Sequence, residues 1–198
     1  MTIYDLKPKF QALLRPVVTT LYKRGITPNQ VTWAALILSI VTGILVAATK
    51  GAAWTLLLVP FVMFVRMALN AIDGILAKEH NMTSDMGAML NELGDVISDA
   101  ALYLPLAFIP GISPVLVVLF VVVGLLSEVA GILGAVIGGT RRYDGPMGKS
   151  DRAFVVGLLA LLIGMGITPG WWTDALLLLS IVLGMLTVLN RAKRGLAS

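Results

Sequence analysis

The sequence predicts an all-α, polytopic membrane protein with six transmembrane helices preceded by an N-terminal amphipathic helix in the membrane interface. The 198-residue chain is 58% hydrophobic and only 13% charged, and its mean hydropathy is +0.91. Its apolar residues form six runs, each close to the roughly 20 residues that a helix needs to cross about 30 Å of hydrocarbon. A soluble domain of this length could not bury so much apolar surface, which excludes the soluble classes.

Residues 1–24 are the predicted juxtamembrane helix. Apolar residues recur at helical spacing from Ile3 to Leu21, and basic residues such as Lys7 and Arg15 lie between them. This pattern is typical of a helix that lies in the plane of the interface. The stretch lacks the uninterrupted apolar core and small-residue cleavage site of a signal peptide, so we do not expect one.

The six spans are expected to form one bundle over residues 29–194, within a single domain that covers 1–198. Thr27 and Pro28 predict an N-cap followed by proline at the first helical position. The chain shows no internal repeat and no second domain. A polar loop at 138–152 precedes the fifth span. The expected spans are about 29–49, 53–78, 84–108, 113–137, 153–167 and 173–190.

The distribution of basic residues predicts the topology. Lysine and arginine are concentrated in the N-terminal segment, the link after the second span, the loop after the fourth span and the C-terminus. The remaining turns contain only Lys50. By the positive-inside rule, both termini and the site described next face the cytoplasm, in the inner (cytoplasmic) membrane. The chain has no cysteine and one histidine, His80, which excludes disulfides, thiolate chemistry and a His-rich metal site.

Acids, amides and glycines interrupt two of the apolar runs between residues 70 and 99. On helices these polar residues share one face of each run, because they recur every third or fourth position. Ionisable groups inside a membrane segment are costly, so a functional site is the default interpretation. The polar residues of these faces are Asn70, Asp73, Asn91, Asp95 and Asp99.

Clustered carboxylate and amide oxygens, without His or Cys, suit a hard cation such as Mg²⁺ or Mn²⁺. Gly74 and Gly87 remove side chains beside the acids, where a phosphate group can approach, and Lys78 can neutralise it. This combination indicates phosphoryl transfer. Acids at helical spacing also occur in proton-coupled transporters and channels. That alternative is disfavoured because these acids cluster near one side of the membrane.

The stretch resembles the signature of the CDP-alcohol phosphotransferases, Asp-x2-Asp-Gly-x2-Ala-Arg-x8-Gly-x3-Asp-x3-Asp. Pro28-Asn29-x-x-Thr32 at the start of the first span is also similar to that family, so the resemblance covers nearly the whole chain. Gly145–Arg152 and Leu90–Asp95 are similar to a bacterial subgroup with asparagine at two of the motif aspartates. Every interval of the signature is kept at Asn70, Asp73, Gly74, Ala77, Lys78, Gly87, Asn91 and Asp95.

The resemblance implies a metal-dependent transferase of phospholipid biosynthesis. It would move a phosphatidyl or other substituted phosphate group from CDP-diacylglycerol, or a related CDP-alcohol, to a hydroxyl acceptor and release CMP. The family also implies a homodimer. Asp73 would bind metal and orient the pyrophosphate, and Asp95 would bind metal or act as the general base. The implied ligands of one or two Mg²⁺ or Mn²⁺ ions are Asn70, Asp73, Asn91 and Asp95. The implied CDP-binding residues are Asn29, Thr32, Asn70, Asp73, Gly74, Ala77, Lys78 and Gly87.

Three positions depart from the family pattern: Asn70 and Asn91 replace aspartates, and Lys78 replaces arginine. An asparagine can ligate a metal but brings no negative charge, and lysine lacks the bidentate fork of arginine. Either one metal suffices, or Asp99 or Glu92 supplies charge, or activity has been lost. The alternative function is therefore a non-catalytic descendant that binds CDP-lipid or assembles with a partner.

Basic residues in the loop before the fifth span form a second candidate site. Each can serve simply as a positive-inside residue, but together they can form a cytoplasmic anion site. This favours a phosphorylated or otherwise anionic acceptor. Two acids within the predicted spans remain open: Asp99 either pairs with Arg66 or joins the site, and Glu128 either pairs with Arg66 or faces the cavity. The basic residues are Arg141, Arg142, Lys149 and Arg152.

Overall fold

The structure is a computed structural model that describes residues 3–197, and side chains from residue 10 onward. Within these residues the chain forms seven α-helices and one short 3-10 helix and contains no strand, which confirms the all-α class. The α-helices are α1 (Ile3–Lys23), α2 (Pro28–Ala48), α3 (Ala53–Glu79), α4 (Asp85–Tyr103), α5 (Pro114–Gly138), α6 (Lys149–Gly164) and α7 (Trp171–Leu196). The 3-10 helix, Leu104–Phe108, lies between α4 and α5.

Four of the helices in the described part of the chain are long and apolar enough to cross a membrane, namely α2, α3, α5 and α7. The other two predicted spans, α4 and α6, are helical but fall outside this group. Helix α4 carries the acids of the polar stretch, and α6 has only 16 residues, a length of about 24 Å. Membrane-spanning helices are therefore present, and the crossings by α4 and α6 remain predictions.

Helix α6 begins earlier than the sequence indicated. We expected residues 149–152 to belong to the polar loop, and this was wrong because the helix begins at Lys149. The backbone N–H of Gly148 donates to Asp151 Oδ2 at 2.8 Å, which satisfies an N-terminal donor of the helix. The carboxylate of Asp151 is also favourable in a first turn. Lys149 and Arg152 thus project from a helix and not from a loop.

The third predicted span changes its helical form before it ends. We expected one helix to residue 108, but α4 ends at Tyr103 and a 3-10 helix follows. Pro105 has no N–H to donate to the carbonyl of Ala101, which removes one α-helical hydrogen bond. Gly43 of α2 is buried against that carbonyl, and a Cβ at Gly43 would overlap the Ala101 oxygen.

The described residues pack as two compact units, and the first comprises those of Met1–Val41 and Phe61–Ser98. Leu14 and Leu21 of α1 lie against its core, and α1 contributes Val18 to the core itself. Leu13 and Val17 on the same helix are exposed. Helix α1 therefore packs through one face, while its location in the membrane interface remains a prediction. The core residues are Val18, Val31, Ile72, Ile75 and Leu76.

The second unit comprises Thr42–Pro60 and the described residues of Asp99–Ser198. Helices α5 and α7 pack closely along their length because glycines face the partner helix. A Cβ at Gly184 would lie 2.6 Å from Val123 Cγ1, and one at Gly195 would lie 3.2 Å from the Cα of Gly134. The buried residues of α7 are Thr173, Leu177, Ser180, Gly184, Thr187, Arg191 and Gly195.

Candidate active site

Asp73 projects from α3 into the interior of the first unit. The residue is only 6% exposed. The hydroxyl of Thr32, on α2, donates to Asp73 Oδ2 at 2.8 Å and also lies 3.1 Å from the carbonyl oxygen of Pro28. The structure therefore brings together two residues that the sequence analysis assigned to the CDP site, one from each of two helices.

Asp95, on α4, is held by two donors from α3. The side-chain amide of Asn70 donates through Nδ2 to Asp95 Oδ1 at 2.9 Å. The buried guanidinium of Arg66 lies 3.3 Å from the same oxygen and donates to the backbone carbonyl of Asp95 at 3.1 Å. An aspartate at position 70 could not donate such a bond, so the amide is part of the arrangement around Asp95.

The two motif glycines have different surroundings. Among the described residues, a Cβ at Gly74 would meet no atom within 4 Å, so the helix surface beside Asp73 is open there. A Cβ at Gly87 would lie 2.9 Å from Asn29 Oδ1 and 3.0 Å from Ser84 Oγ. Gly87 therefore makes room for the Asn29 side chain, another predicted CDP-site residue.

The remaining predicted residues of the first unit lie on the same helices. Lys78 is exposed at the end of α3, and Ala77 and Asn91 are half-buried. Within the part of the chain that the structure describes, no group of three or more His, Cys, Asp or Glu is placed to hold a metal ion. Only two carboxylates are present at the four predicted ligand positions, because Asn70 and Asn91 are amides.

The second unit contains a buried ionic group, which we call the arginine cluster: Arg141, Arg152 and Arg191 around Glu128. Arg152 Nη2 lies 2.8 Å from Glu128 Oε1, and Arg191 Nη1 lies 3.5 Å from the same oxygen. Arg141 Nη2 donates to Glu128 Oε2 at 3.0 Å. Both oxygens of the carboxylate are thus engaged by guanidinium groups.

Further contacts fix the two deeply buried arginines. Arg152 Nη1 donates to Ser127 Oγ at 2.9 Å, and Arg152 Nη2 lies 3.8 Å from Asp99 Oδ2. Arg191 Nη1 donates to the backbone carbonyl of Ser127 at 2.6 Å. Asp99, which the sequence left unassigned, therefore faces the arginine cluster.

Arg191 was not singled out from the sequence, where it resembled an ordinary positive-inside residue. The available signal was the spacing of Ser180, Gly184 and Thr187, which places small or polar residues every third or fourth position along α7. Arg191 continues this stripe by four residues, so it lies on the buried face.

The four basic residues predicted as an anion site are only partly brought together. Arg141 and Arg152 meet at Glu128, whereas Arg142 Nη2 donates to the backbone carbonyl of Arg194 at 2.9 Å. Lys149 is half-buried in the first turn of α6.

Comparison with known proteins identifies the family. The family model for CDP-alcohol phosphatidyltransferases matches residues 25–186. The chain belongs to the CDP-alcohol phosphatidyltransferase family. This confirms the family resemblance that the sequence indicated. The chain is 47% identical to the inner membrane protein YnbA of Escherichia coli (strain K12) over 195 residues, which cover 98% of this chain and 96% of that protein. It is 29% identical to the archaetidylinositol phosphate synthase of Pyrococcus horikoshii over 102 residues, 52% of each chain.

Solved structures share the fold of this chain. The phosphatidylinositol phosphate synthase PgsA1 of Mycobacterium tuberculosis with CDP-DAG bound has a TM-score of 0.77 at 19% identity, over 91% of this chain and 92% of that one. The same protein in complex with manganese and citrate also gives a TM-score of 0.77, over 92% and 88% of the two chains. At this identity the similarity shows the fold alone.

Proposed function

We propose that the protein transfers a phosphatidyl, or other substituted phosphate, group from CDP-diacylglycerol or a related CDP-alcohol to a hydroxyl acceptor, with release of CMP, in phospholipid biosynthesis. The observation that carries this proposal is the pair Asp73 and Asp95, which keep the family spacing and are each held by neighbouring donors. Membership of the family supports the reaction class, and the CDP-DAG bound in a protein of the same fold supports the donor class.

The donor set fits one Mg²⁺ or Mn²⁺ ion better than two. The four proposed ligands, Asn70, Asp73, Asn91 and Asp95, offer hard oxygen atoms and two negative charges. Two carboxylates balance one divalent ion, and the buried guanidinium of Arg66 already lies 3.3 Å from Asp95. When bound, the ion would neutralise the pyrophosphate and stabilise the charge that develops on the departing CMP.

The chain's own residues would supply positioning and a base. Asp95 would accept the proton of the attacking hydroxyl, and its contacts with Asn70 and Arg66 would fix its orientation. Thr32 fixes Asp73. The open helix surface at Gly74 would admit the phosphates. The other proposed CDP contacts are Asn29, Thr32, Asn70, Asp73, Ala77, Lys78 and Gly87.

The proposed setting is the inner membrane, with six crossings, α1 in the interface, and both termini and the active site facing the cytoplasm. The similarity to an inner membrane protein supports the compartment. We also propose a homodimer, by analogy with the family. The proposed acceptor contacts are Arg141, Arg142, Lys149 and Arg152.

The test is CMP release by purified protein supplied with CDP-diacylglycerol, Mg²⁺ or Mn²⁺, and a panel of alcohols. Asp95→Asn should lower the rate by about 100-fold or more, because a general base contributes that much. Asp85→Asn, at an exposed position in the first turn of the same helix, is the matched control and should retain activity. No CMP release with any acceptor, together with no binding of the CDP-lipid, would contradict the proposal.

The second candidate is a non-catalytic CDP-lipid-binding or partner-assembling descendant. The amides at positions 70 and 91 motivate it, because they remove half of the family's motif carboxylates. It predicts that the wild-type chain binds CDP-diacylglycerol but does not release CMP. Turnover that appears only in the double variant Asn70→Asp/Asn91→Asp would favour this candidate over the enzyme.

A further inference from the structure

The arginine cluster of the second unit is built from three separate segments. Arg141 comes from the loop before α6, Arg152 from α6 and Arg191 from α7, and all three converge on Glu128 in the middle of α5. Arg152 is 3% exposed and Arg191 is 2% exposed, so their guanidinium groups are removed from water. Such convergence is not needed merely to place positive charge at a membrane surface.

Glycines on α5 make room for these guanidinium groups. A Cβ at Gly124 would lie 3.0 Å from Arg152 Nε, and one at Gly131 would lie 2.7 Å from the backbone carbonyl oxygen of Arg142 and 3.3 Å from Arg191 Nη1. The two glycines flank Glu128 by about one helical turn on either side. Side chains larger than glycine at these two positions would crowd the guanidinium groups of Arg152 and Arg191 against α5.

The net charge of the arginine cluster depends on Glu128. Guanidinium forks bind carboxylate and phosphate with the same geometry, and buried cations require a neighbouring anion. Glu128 supplies that anion from within the chain, and Asp99 adds a second carboxylate 3.8 Å from Arg152. A phosphate monoester, with about 1.5 to 2 negative charges, would meet these carboxylates at the same donors.

We propose that Glu128 occupies the anion position of the arginine cluster, and that the acceptor is consequently an uncharged polyhydroxy compound and not a phosphate monoester. This rests on the proposed transferase function and replaces the anionic acceptor expected from the sequence. Hydroxyl groups suit an internally neutralised cluster, because they donate to carboxylates and accept from guanidinium groups. Arg141, whose side chain is 24% exposed, is the most exposed arginine of the cluster.

The first test compares thermal unfolding of wild type and Glu128→Gln in sodium phosphate and in sodium chloride of equal ionic strength. Wild type should unfold at the same temperature in both salts. Glu128→Gln keeps the shape but removes the carboxylate charge, so phosphate should bind this variant and raise its Tm, in contrast to wild type. Glu79→Gln removes an exposed carboxylate, and phosphate should not raise its Tm. Equal phosphate binding by wild type and Glu128→Gln would overturn the proposal.

The second test uses wild type alone and so does not depend on the folding of a variant. CMP release is measured with the matched acceptors glycerol and glycerol 3-phosphate. A kcat/KM about tenfold or more in favour of the uncharged acceptor supports the proposal, and preference for the phosphate ester overturns it. If neither compound is used, the proposed function loses support, while phosphate binding still decides the inference. If wild type binds phosphate and Arg152→Gln does not, the inference about Glu128 is overturned. If wild type does not bind phosphate, that inference is supported.

Discussion

At the scale of single residues, Asn70 changes the character of the site. Its Nδ2 donates to Asp95 Oδ1 at 2.9 Å, and Arg66 lies beside the same oxygen. The carboxylate of Asp95 is therefore stabilised by an amide and a guanidinium even without a metal ion. This arrangement accounts for an amide at a position where the family signature has an acid.

We predict that Asn70→Asp makes the stability of the protein depend on a divalent cation. The substitution places a second carboxylate where Asn70 now donates to Asp95, 2.9 Å away, and like charges at that distance repel. In EDTA the variant should lose about 1–3 kcal/mol of stability, because the partly buried Asp95 carboxylate loses its donor. Addition of Mn²⁺ should raise its Tm by more than it raises that of wild type, as measured by thermal unfolding in detergent.

Asn190→Asp makes the same change of charge at an exposed position of α7, and its Tm should respond to Mn²⁺ as wild type does. If Asn70→Asp were as stable as wild type in EDTA and equally insensitive to Mn²⁺, Asn70 would not be the donor to Asp95.

The sequence predicted which residues share the polar faces, but not their partners. Helical spacing alone places Asn70 with Asp73 and Asn91 with Asp95. The bond from Asn70 to Asp95, and the pairing of Arg66 with Asp95, depend on how far α3 is shifted along α4. That shift is set by side-chain packing between helices, which no single-helix pattern contains.

At the scale of elements, the change from α4 to the 3-10 helix depends on a contact between segments of the second unit. Pro105 cannot donate to the Ala101 carbonyl, and Gly43 of α2 packs directly on that oxygen. A side chain at position 43 would have to displace backbone atoms, because the carbonyl carbon of Ala101 would also lie 2.9 Å from its Cβ. Backbone displacement costs more than the rotation of a flexible side chain.

Gly43→Ala should therefore destabilise the protein by about 1–3 kcal/mol, which corresponds to a fall in Tm of roughly 2–4 °C per kcal/mol for a chain of this size. The measurement is thermal unfolding in detergent. Gly170→Ala is the matched control, since its backbone is extended and a Cβ there meets no described atom within 4 Å. Equal Tm values for both variants would mean that the contact at Gly43 does not constrain the helix.

The helices themselves were predictable from their apolar runs, whereas two boundaries were not. Residues 149–152 look like a loop because they are polar, yet Asp151 accepts from the Gly148 N–H and begins α6 there. The third run looks continuous to residue 108, yet Pro105 ends the α-helical hydrogen bonding. Hydrophobicity detects the length of a run, and local hydrogen bonding decides where the helix begins and ends.

At the scale of the whole molecule, the number of membrane crossings determines which loops share a side. Helices α2, α3, α5 and α7 meet the length and composition of a span, and α4 and α6 do not. Hydropathy favours four crossings, whereas the distribution of basic residues favours six. Polar side chains on α4 lower its mean hydropathy, yet they pair with other parts of the chain, as Asp95 does with Arg66. A count of spans based on hydropathy alone can therefore miss a helix of this kind.

We predict that labelling of single cysteines will show six crossings. The chain has no native cysteine, so Pro110→Cys, Tyr143→Cys and Thr168→Cys each introduce one exposed thiol. With six crossings and cytoplasmic termini, a membrane-impermeant maleimide applied to intact spheroplasts should label positions 110 and 168, and label position 143 only after permeabilisation. With four crossings, position 110 would be labelled only after permeabilisation, and position 143 would be labelled in intact spheroplasts. Position 168 would be labelled in intact spheroplasts in either case, so Thr168→Cys is the control. Labelling of Tyr143→Cys in intact spheroplasts would thus contradict six crossings and place the loop that carries Arg141 on the side opposite to the termini.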